Sequence, residues 1–190
     1  MAYDFTRRGL IGIGMAAASL AVMSPAEAAV RALSARGAPR ALNLLNTHTG
    51  ECFAGTYWAD GGYVPGALGE ISKVLRDHRT GDQHDMDVKL LDLLTALRST
   101  LDTHEPFNVI SGYRSPKTNR ILAASSHGVA RRSLHMAGQA MDIRVPGRDL
   151  RLVHRAALAL KQGGVGYYPA SDFVHVDVGR VRRWEQVKRA

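Results

Sequence analysis

The residues best suited to chemistry lie in the run 133–142, SLHMAGQAMD, where a histidine and an aspartate flank small residues. His135 is placed at the end of a predicted loop, and Asp142 in a β-like run that follows it. A second histidine, His175, lies in another β-like run, residues 172–178. Two histidines and one carboxylate suit a catalytic zinc ion, because zinc takes nitrogen and oxygen ligands tetrahedrally and catalysis keeps the fourth position for water. The spacing alone leaves a polar turn open as the alternative.

Another polar residue stands at a predicted corner of the chain. A short predicted strand, residues 107–110, leads into the run SGYRSP and then into a helix with Pro116 in its first turn. Arg114 therefore lies between a strand and a helix, where functional side chains are commonly displayed. Tyr168 ends a later predicted strand and is expected either to line a cleft or to pack in the core.

The elements that must position these residues follow from the spacing of apolar residues. Helical spacing predicts four helices, which cover residues 68–81, 86–101, 116–124 and 148–162. Alternation and turn residues predict strands, which cover residues 41–47, 51–58, 107–110, 140–145, 165–168 and 172–178. Together they predict an α+β fold, with a small, mostly antiparallel sheet and helices packed on one side. The basic tail is expected to pack Trp184 against the core.

Composition predicts one folded domain with an ordinary core, since 45% of the 190 residues are hydrophobic. The single cysteine, Cys52, allows no intramolecular disulfide. The net charge of +8 favours anionic cell-wall material or lipid headgroups as surroundings, with no nucleic acid expected as a partner, although solubility alone also explains it.

The N-terminus is typical of an export signal. Two arginines follow Thr6, and an apolar run and a small-residue cleavage signal ending at Ala28 come next. The paired arginines are typical of the twin-arginine route. We expect a signal peptide over 1–28, a flexible lead-in over 29–40 and the functional domain over 41–190. Export to the periplasm or cell envelope is then expected, without a stable membrane span after cleavage; a retained N-terminal anchor is the alternative.

Three motifs resemble those of the zinc D-Ala-D-Ala peptidase family and are most similar to its murein endopeptidase K branch. They are SGYRS at 111–115, SxHxxGxAxD at 133–142, and GGVGYY with FVHVD within 163–177. The likeness runs from about Leu44 to Trp184. It implies a hedgehog/D-Ala-D-Ala-peptidase-like fold and makes 41–190 a zinc peptidase domain.

The resemblance also implies roles for individual residues. His135, Asp142 and His175 match the family's ligands of Zn2+. Arg114 matches the arginine that binds the scissile carbonyl as it becomes an oxyanion, a charge that appears only in the transition state.

The general base has two candidates. Asp172 stands three residues before the last ligand, where well-known members of the family carry a carboxylate, and it is the preferred residue to take a proton from zinc-bound water. Asp177 shares a strand face with that ligand and is expected to orient it or to assist catalysis. Ser133 is expected to contact substrate, to support a ligand or to cap a turn. Ser115 and Tyr168 complete the predicted substrate contacts.

These features predict an exported zinc metallopeptidase, a murein endopeptidase that hydrolyses the stem-peptide cross-links of peptidoglycan. A D,D- or L,D-carboxypeptidase that trims stem peptides is one alternative. A non-catalytic, zinc-containing peptidoglycan-binding module is the other, although binding alone requires neither an oxyanion donor nor a base. The sequence leaves open the D,D or L,D character of the bond and the oligomeric state.

Overall fold

Eight strands and four helices make up the computed structural model, which describes residues 37–125 and 129–186. The strands are β1 Arg40–Asn46, β2 Cys52–Ala59, β3 Gly62–Tyr63, β4 Phe107–Ser111, β5 Ala140–Arg144, β6 Gly164–Tyr168, β7 Phe173–Asp177 and β8 Arg182–Glu185. The helices are α1 Pro65–Val74, α2 Val88–Thr100, α3 Pro116–Ser125 and α4 Leu150–Leu160, with a short 3-10 helix at Leu134–Ala137. The predicted signal peptide and most of the predicted lead-in lie outside the described residues.

The strands form one mixed sheet in the order β3-β2-β1-β4-β5-β7-β6-β8. Five neighbouring pairs are antiparallel, while β1 with β4 and β6 with β8 are parallel. The predicted α+β class is therefore confirmed, and the sheet is a mixed one.

Apolar and polar residues alternate along the central strands β5 and β7. Because successive side chains of a strand point to opposite sides, the centre of the sheet has an apolar face and a polar face. The apolar positions of β5 and β7 are wholly buried in the core and comprise Met141, Ile143, Val174 and Val176. The positions between them carry Asp142 and His175. A shift of one residue in either strand would therefore bury the polar set in the core.

Helices cover the apolar face. Helix α2 contacts β1 and α4, α4 contacts β6 and β7, and α1 contacts β1 and β2. Asp87 and Asp149 cap α2 and α4 by accepting a hydrogen bond from the amide two residues later. No helix within 37–125 and 129–186 is long and apolar enough to cross a membrane.

Several elements differ from the prediction, among them α1, α4 and β8. Helix α1 ends at Val74 and does not continue to Gly81, because the residues that follow it bond to the corner after β4. Helix α4 ends with Lys161 in the left-handed conformation, ahead of the predicted glycine pair. Strand β8, which carries Trp184, lies in the region predicted as a tail, and its pairing with β6 is a tertiary contact without a local sequence signal.

Candidate active site

Three buried side chains meet on the polar face of the sheet: His135, Asp142 and His175. Asp142 and His175 are direct partners across β5 and β7, so the strand register brings them together. His135 comes from the 3-10 helix that precedes β5, and Gly138, with φ 65°, turns the chain from that helix into the strand. One potential ligand atom from each of the three residues lies within 4.8 Å of the other two.

Hydrogen bonds to the far ring nitrogens determine which nitrogen of each histidine is available. His135 Nδ1 lies 2.8 Å from the carbonyl oxygen of Gly112, so it carries the proton and Nε2 keeps a lone pair. His175 Nε2 lies 3.1 Å from Asp177 Oδ2, which leaves the lone pair on Nδ1. These two lone pairs face each other at 3.2 Å. Asp142 Oδ1 lies 2.8 Å from the second of them.

Three acceptors that converge without a donor need a positive charge between them. Nitrogen and oxygen donors of this kind suit a zinc ion, and the outward hydrogen bonds of both imidazoles fix the rings as metal ligands require. The residues therefore fit a metal held by His135 Nε2, Asp142 Oδ1 and His175 Nδ1.

Without a metal, a proton on His175 supplies the positive charge between these three acceptors. Burial lowers the pKa of His175, but the hydrogen bonds and charges of Asp142 and Asp177 outweigh it and raise the pKa to about 9. Burial raises the pKa of Asp142, yet the two histidines hold it well below its usual range.

Zinc uptake by the metal-free protein should therefore compete with this proton. Below pH 9 His175 is mostly protonated and must lose its proton to bind a metal, so apparent zinc affinity should rise with pH and level off above about 9. Proton release per zinc bound, measured by calorimetry in buffers of different ionisation enthalpy, checks this expectation. An affinity that is flat between pH 6.5 and 9 would contradict it.

Asp177 is completely buried, and its Oδ2 lies 3.1 Å from His175 Nε2, the ring nitrogen that is not turned toward Asp142. Its Oδ1 accepts from the amides of Gly164 and Gly179, and Arg182 donates to both of its oxygens. Burial raises the pKa of Asp177, but the hydrogen bonds with His175, Arg182 and the two amides hold it well below its usual range. Both carboxylate oxygens of Asp177 thus have partners within the protein, which suits a residue that orients His175 better than one that contacts substrate.

Asp177→Asn should weaken zinc binding about 10- to 100-fold, because the orienting carboxylate behind a metal-bound histidine is lost. Competition with a chelating dye measures this affinity. Asp172→Asn is the matched control, since it makes the same change at an exposed position and should leave the affinity unchanged. Equal affinities in the two variants would contradict the orienting role.

Arg114 lies beside the ligand cluster and is 9% exposed. Its Nη2 donates to Ser111 Oγ at 3.2 Å and lies 3.6 Å from Asp142 Oδ2. Burial lowers the pKa of Arg114, and the charge of Asp142 opposes that effect. Its buried Nε has no hydrogen-bond partner among the described residues. A buried guanidinium with a donor to spare is suited to bind an oxygen of a ligand.

A cavity of about 660 Å³ opens over the cluster and is large enough for several residues of a peptide. It is lined by Arg114, Leu122, Val129, Ala130, Arg132, Ser133, Leu134, His135, Asp142, Tyr168, Ser171, Phe173, His175, Arg182, Trp184 and Gln186. Ser133 begins the 3-10 helix, but its hydroxyl makes no capping bond in the described part of the chain. The hydroxyl of Ser133 is therefore available to a ligand.

Tyr168 forms one wall of this cavity and stacks on Phe173. Trp184 Nε1 donates to the phenol oxygen at 2.8 Å, so the hydrogen of the phenol is left for another acceptor. Burial raises the pKa of Tyr168, which keeps the phenol protonated. The predicted tail thus contributes Trp184 and Arg182 to the site, and the sequence signalled neither residue as part of it.

Two predicted site residues lie elsewhere. Ser115 is wholly buried, and its hydroxyl accepts from the amide of Thr118 at the start of α3. It caps a helix, so substrate contact by Ser115 does not fit its position. Asp172 has φ 53° in the turn before β7 and forms an exposed ion pair with Arg144 at 2.8 Å. It is not among the residues that line the cavity, and its position argues against the predicted role as base.

Two histidines, a carboxylate and an arginine around an open cavity are groups that suit a metal-dependent hydrolase. The family model described as peptidoglycan L,D-endopeptidase MepK matches residues 34–184, and the chain belongs to this family.

Two relatives are similar over almost their whole length. The chain is 41% identical to the peptidoglycan L,D-endopeptidase MepK of Escherichia coli (strain K12), over 96% of this chain and 98% of that protein. It is 36% identical to the probable peptidoglycan L,D-endopeptidase MepK of Haemophilus influenzae, over 97% of this chain and 98% of that protein. The predicted membership of the zinc D-Ala-D-Ala peptidases, in the murein endopeptidase K branch, is confirmed.

Proposed function

We propose that the chain is a zinc metallo-endopeptidase that hydrolyses L,D peptide cross-links of peptidoglycan. The observation that carries this proposal is the convergence of three lone pairs beside the buried guanidinium of Arg114 in an open cavity. The names of the relatives supply the substrate class and the L,D character of the bond. The hedgehog/D-Ala-D-Ala-peptidase-like fold belongs to the same proposal and is supported by ligands on adjacent antiparallel strands.

Each residue of the cluster has a definite task in this scheme. A zinc ion held by His135, Asp142 and His175 would supply Lewis-acid polarisation of the scissile carbonyl and a nucleophilic water at neutral pH. Arg114 donates to the carbonyl oxygen as it gains negative charge, an interaction that is strongest in the transition state. Tyr168 donates its phenol hydrogen to a carbonyl of the bound peptide and so orients it.

Electrostatics favours an anionic ligand in this cavity. Asp142 is the sole carboxylate among its described lining residues, whereas Arg114, Arg132 and Arg182 all line it. Arg182 is paired with Asp177, and Arg114 lies 3.6 Å from Asp142, whereas no ion pair among the described residues involves Arg132. Stem peptides of peptidoglycan carry free carboxylates, and opposite charge speeds encounter and fixes register.

Export to the cell envelope follows from a peptidoglycan substrate. Cleavage after residue 28 and the twin-arginine route remain predictions, since they concern residues outside the described part of the chain. The flexible lead-in over residues 29–36 also remains a prediction for the same reason. Arg40, the last residue of the predicted lead-in, is the first residue of β1.

The proposal is tested by incubating the purified full-length protein with cross-linked muropeptides and separating the products by chromatography. Dimers should disappear and monomers accumulate, a chelator should stop the reaction, and added zinc should restore it. Dimers that persist with shortened stems would identify a carboxypeptidase. Binding to murein without any product would identify a non-catalytic module.

Asp172→Asn should leave kcat within about threefold of the wild type, because an exposed ion pair contributes little and this carboxylate lies outside the cavity. Steady-state cleavage of a defined cross-linked dimer measures it. Arg144→Gln removes the other partner of the ion pair and should behave in the same way. A fall of about 100-fold in Asp172→Asn alone would instead establish Asp172 as the general base.

A further inference from the structure

Asp77 is a buried carboxylate that the mechanism above does not use. It follows α1 and is 2% exposed. Its Oδ2 accepts from the amide of Ser115 at 2.9 Å, and its Oδ1 accepts from the amide of Arg79 at 2.9 Å. Its own amide donates to the carbonyl of Asp82, which closes the loop on which it lies. The carboxylate thus links this loop to the N-terminus of α3.

Backbone hydrogen bonds fix the corner between β4 and α3, residues 112–115, on both sides of Arg114. The amide of Tyr113 donates to the carbonyl of Leu75 at 2.8 Å, and the amide of Arg114 donates to the carbonyl of His135 at 3.1 Å. Gly112 lies so close to Leu75 that a Cβ there would stand 2.6 Å from its carbonyl oxygen. Asp77 holds the next amide, so three successive amides of the corner are fixed.

A carboxylate is well suited to a position at the N-terminus of α3. The first amides of a helix have no partner within the helix and carry partial positive charge, so an anion is favoured there. Burial raises the pKa of Asp77, but donors on Thr118, Ser115 and Arg79 hold it well below its usual range. Asp77 is therefore charged at physiological pH, and its hydrogen bond to the corner is charge-assisted.

The side chain of Arg114 depends on this corner for its direction. Within the described residues its guanidinium donates to Ser111 at 3.2 Å and lies 3.6 Å from Asp142 Oδ2, and its Nε has no hydrogen-bond partner. With so few contacts at its tip, a displacement of the backbone would carry the guanidinium with it. A misplacement of about 1 Å in a catalytic group costs up to about 100-fold in rate.

We propose that Asp77 is a positioning residue that sets the orientation of Arg114 through the N-terminus of α3. This inference rests on the proposed function, because it assigns Arg114 to the oxyanion. Asp77 itself touches no substrate, since it does not line the cavity. Arg114, the residue that Asp77 positions, is not one of the three candidate metal ligands.

A double-mutant cycle tests the inference with the purified full-length protein and a cross-linked muropeptide dimer. Asp77→Asn should lower kcat about tenfold with KM unchanged and zinc content kept at one per chain. In an Arg114→Ala background the same change should have less than about a twofold effect, because the group it positions is gone. Asp82→Asn, an exposed aspartate of the same loop, is the control and should match the wild type.

A purely structural role predicts a different result. Asp77→Asn would then lower the rate by the same factor in both backgrounds, and that additivity would overturn the inference, as would a wild-type kcat in the single variant. If Asp77→Asn does not fold, the cycle is run with Asp77→Glu, which keeps the charge and should lose less activity. A wild-type protein that cleaves no cross-link would overturn the proposed function, and this inference with it.

Discussion

His135→Ala is expected to abolish cross-link cleavage and to release the metal. Its Nε2 is one of three converging lone pairs, and it lies 3.2 Å from His175 Nδ1 and 3.3 Å from Asp142 Oδ1. Removal of this ligand leaves two groups, too few to hold zinc in an open catalytic site. Because Lewis-acid activation supplies several kcal/mol, the rate should fall by about 1,000-fold or more.

Metal content and activity are measured together in this experiment. The variant should contain less than a tenth of an equivalent of zinc by atomic absorption, and zinc in excess should not restore the rate. His154→Gln provides the control, because His154 is also buried but lies on α4 against Tyr167 and does not line the cavity. A His135→Ala variant that kept both zinc and activity would show that His135 is not a metal ligand.

Arg114→Ala should lower kcat by about 100- to 1,000-fold with KM changed only a few-fold, the cost typical of losing one oxyanion donor. The expectation follows from its place beside Asp142 Oδ2 and from its unpartnered Nε. Zinc content should stay at one per chain, because Arg114 is not a ligand. This pattern separates loss of transition-state stabilisation from loss of the metal.

Two further variants serve as comparisons for Arg114→Ala. Arg114→Lys keeps a charge but not the planar fork of donors, so it should recover only a small part of the lost rate. Arg151→Gln, at an exposed position on α4, should match the wild type. A KM that rises in step with the fall in kcat/KM at unchanged kcat would show that Arg114 binds the ground state instead.

The ligand types and the resemblance to the zinc peptidases led to the prediction of His135, Asp142 and His175 as one site, and the alternation of apolar and polar residues agrees with it. Because side chains alternate strictly along a strand, a pattern that buries Met141 and Val174 also places Asp142 and His175 on the opposite face. The sequence therefore predicted the α+β class and most strands. It could not predict β8, whose pairing with β6 depends on the fold around it.

Backbone conformation and distant contacts give three residues positions that the sequence did not signal. The family resemblance implied Asp172 as the general base, but in its turn, with φ 53°, the carboxylate of Asp172 pairs with Arg144. Ser115 lies next to Arg114 in the sequence, yet its hydroxyl faces the helix it caps. Asp77 follows an ordinary helical pattern, and only the folded chain shows that it reaches the corner 38 residues away.

The proposed L,D-endopeptidase activity is tested most directly by mass spectrometry of products from two defined muropeptide dimers, one joined through an L,D peptide bond and one through a D,D bond. The wild-type protein with zinc should convert the L,D-linked dimer to monomers cut at the cross-link, whereas His135→Ala should not. The D,D-linked dimer should remain intact. Cleavage of the D,D-linked dimer alone, or L,D cleavage that persists in His135→Ala, would contradict it.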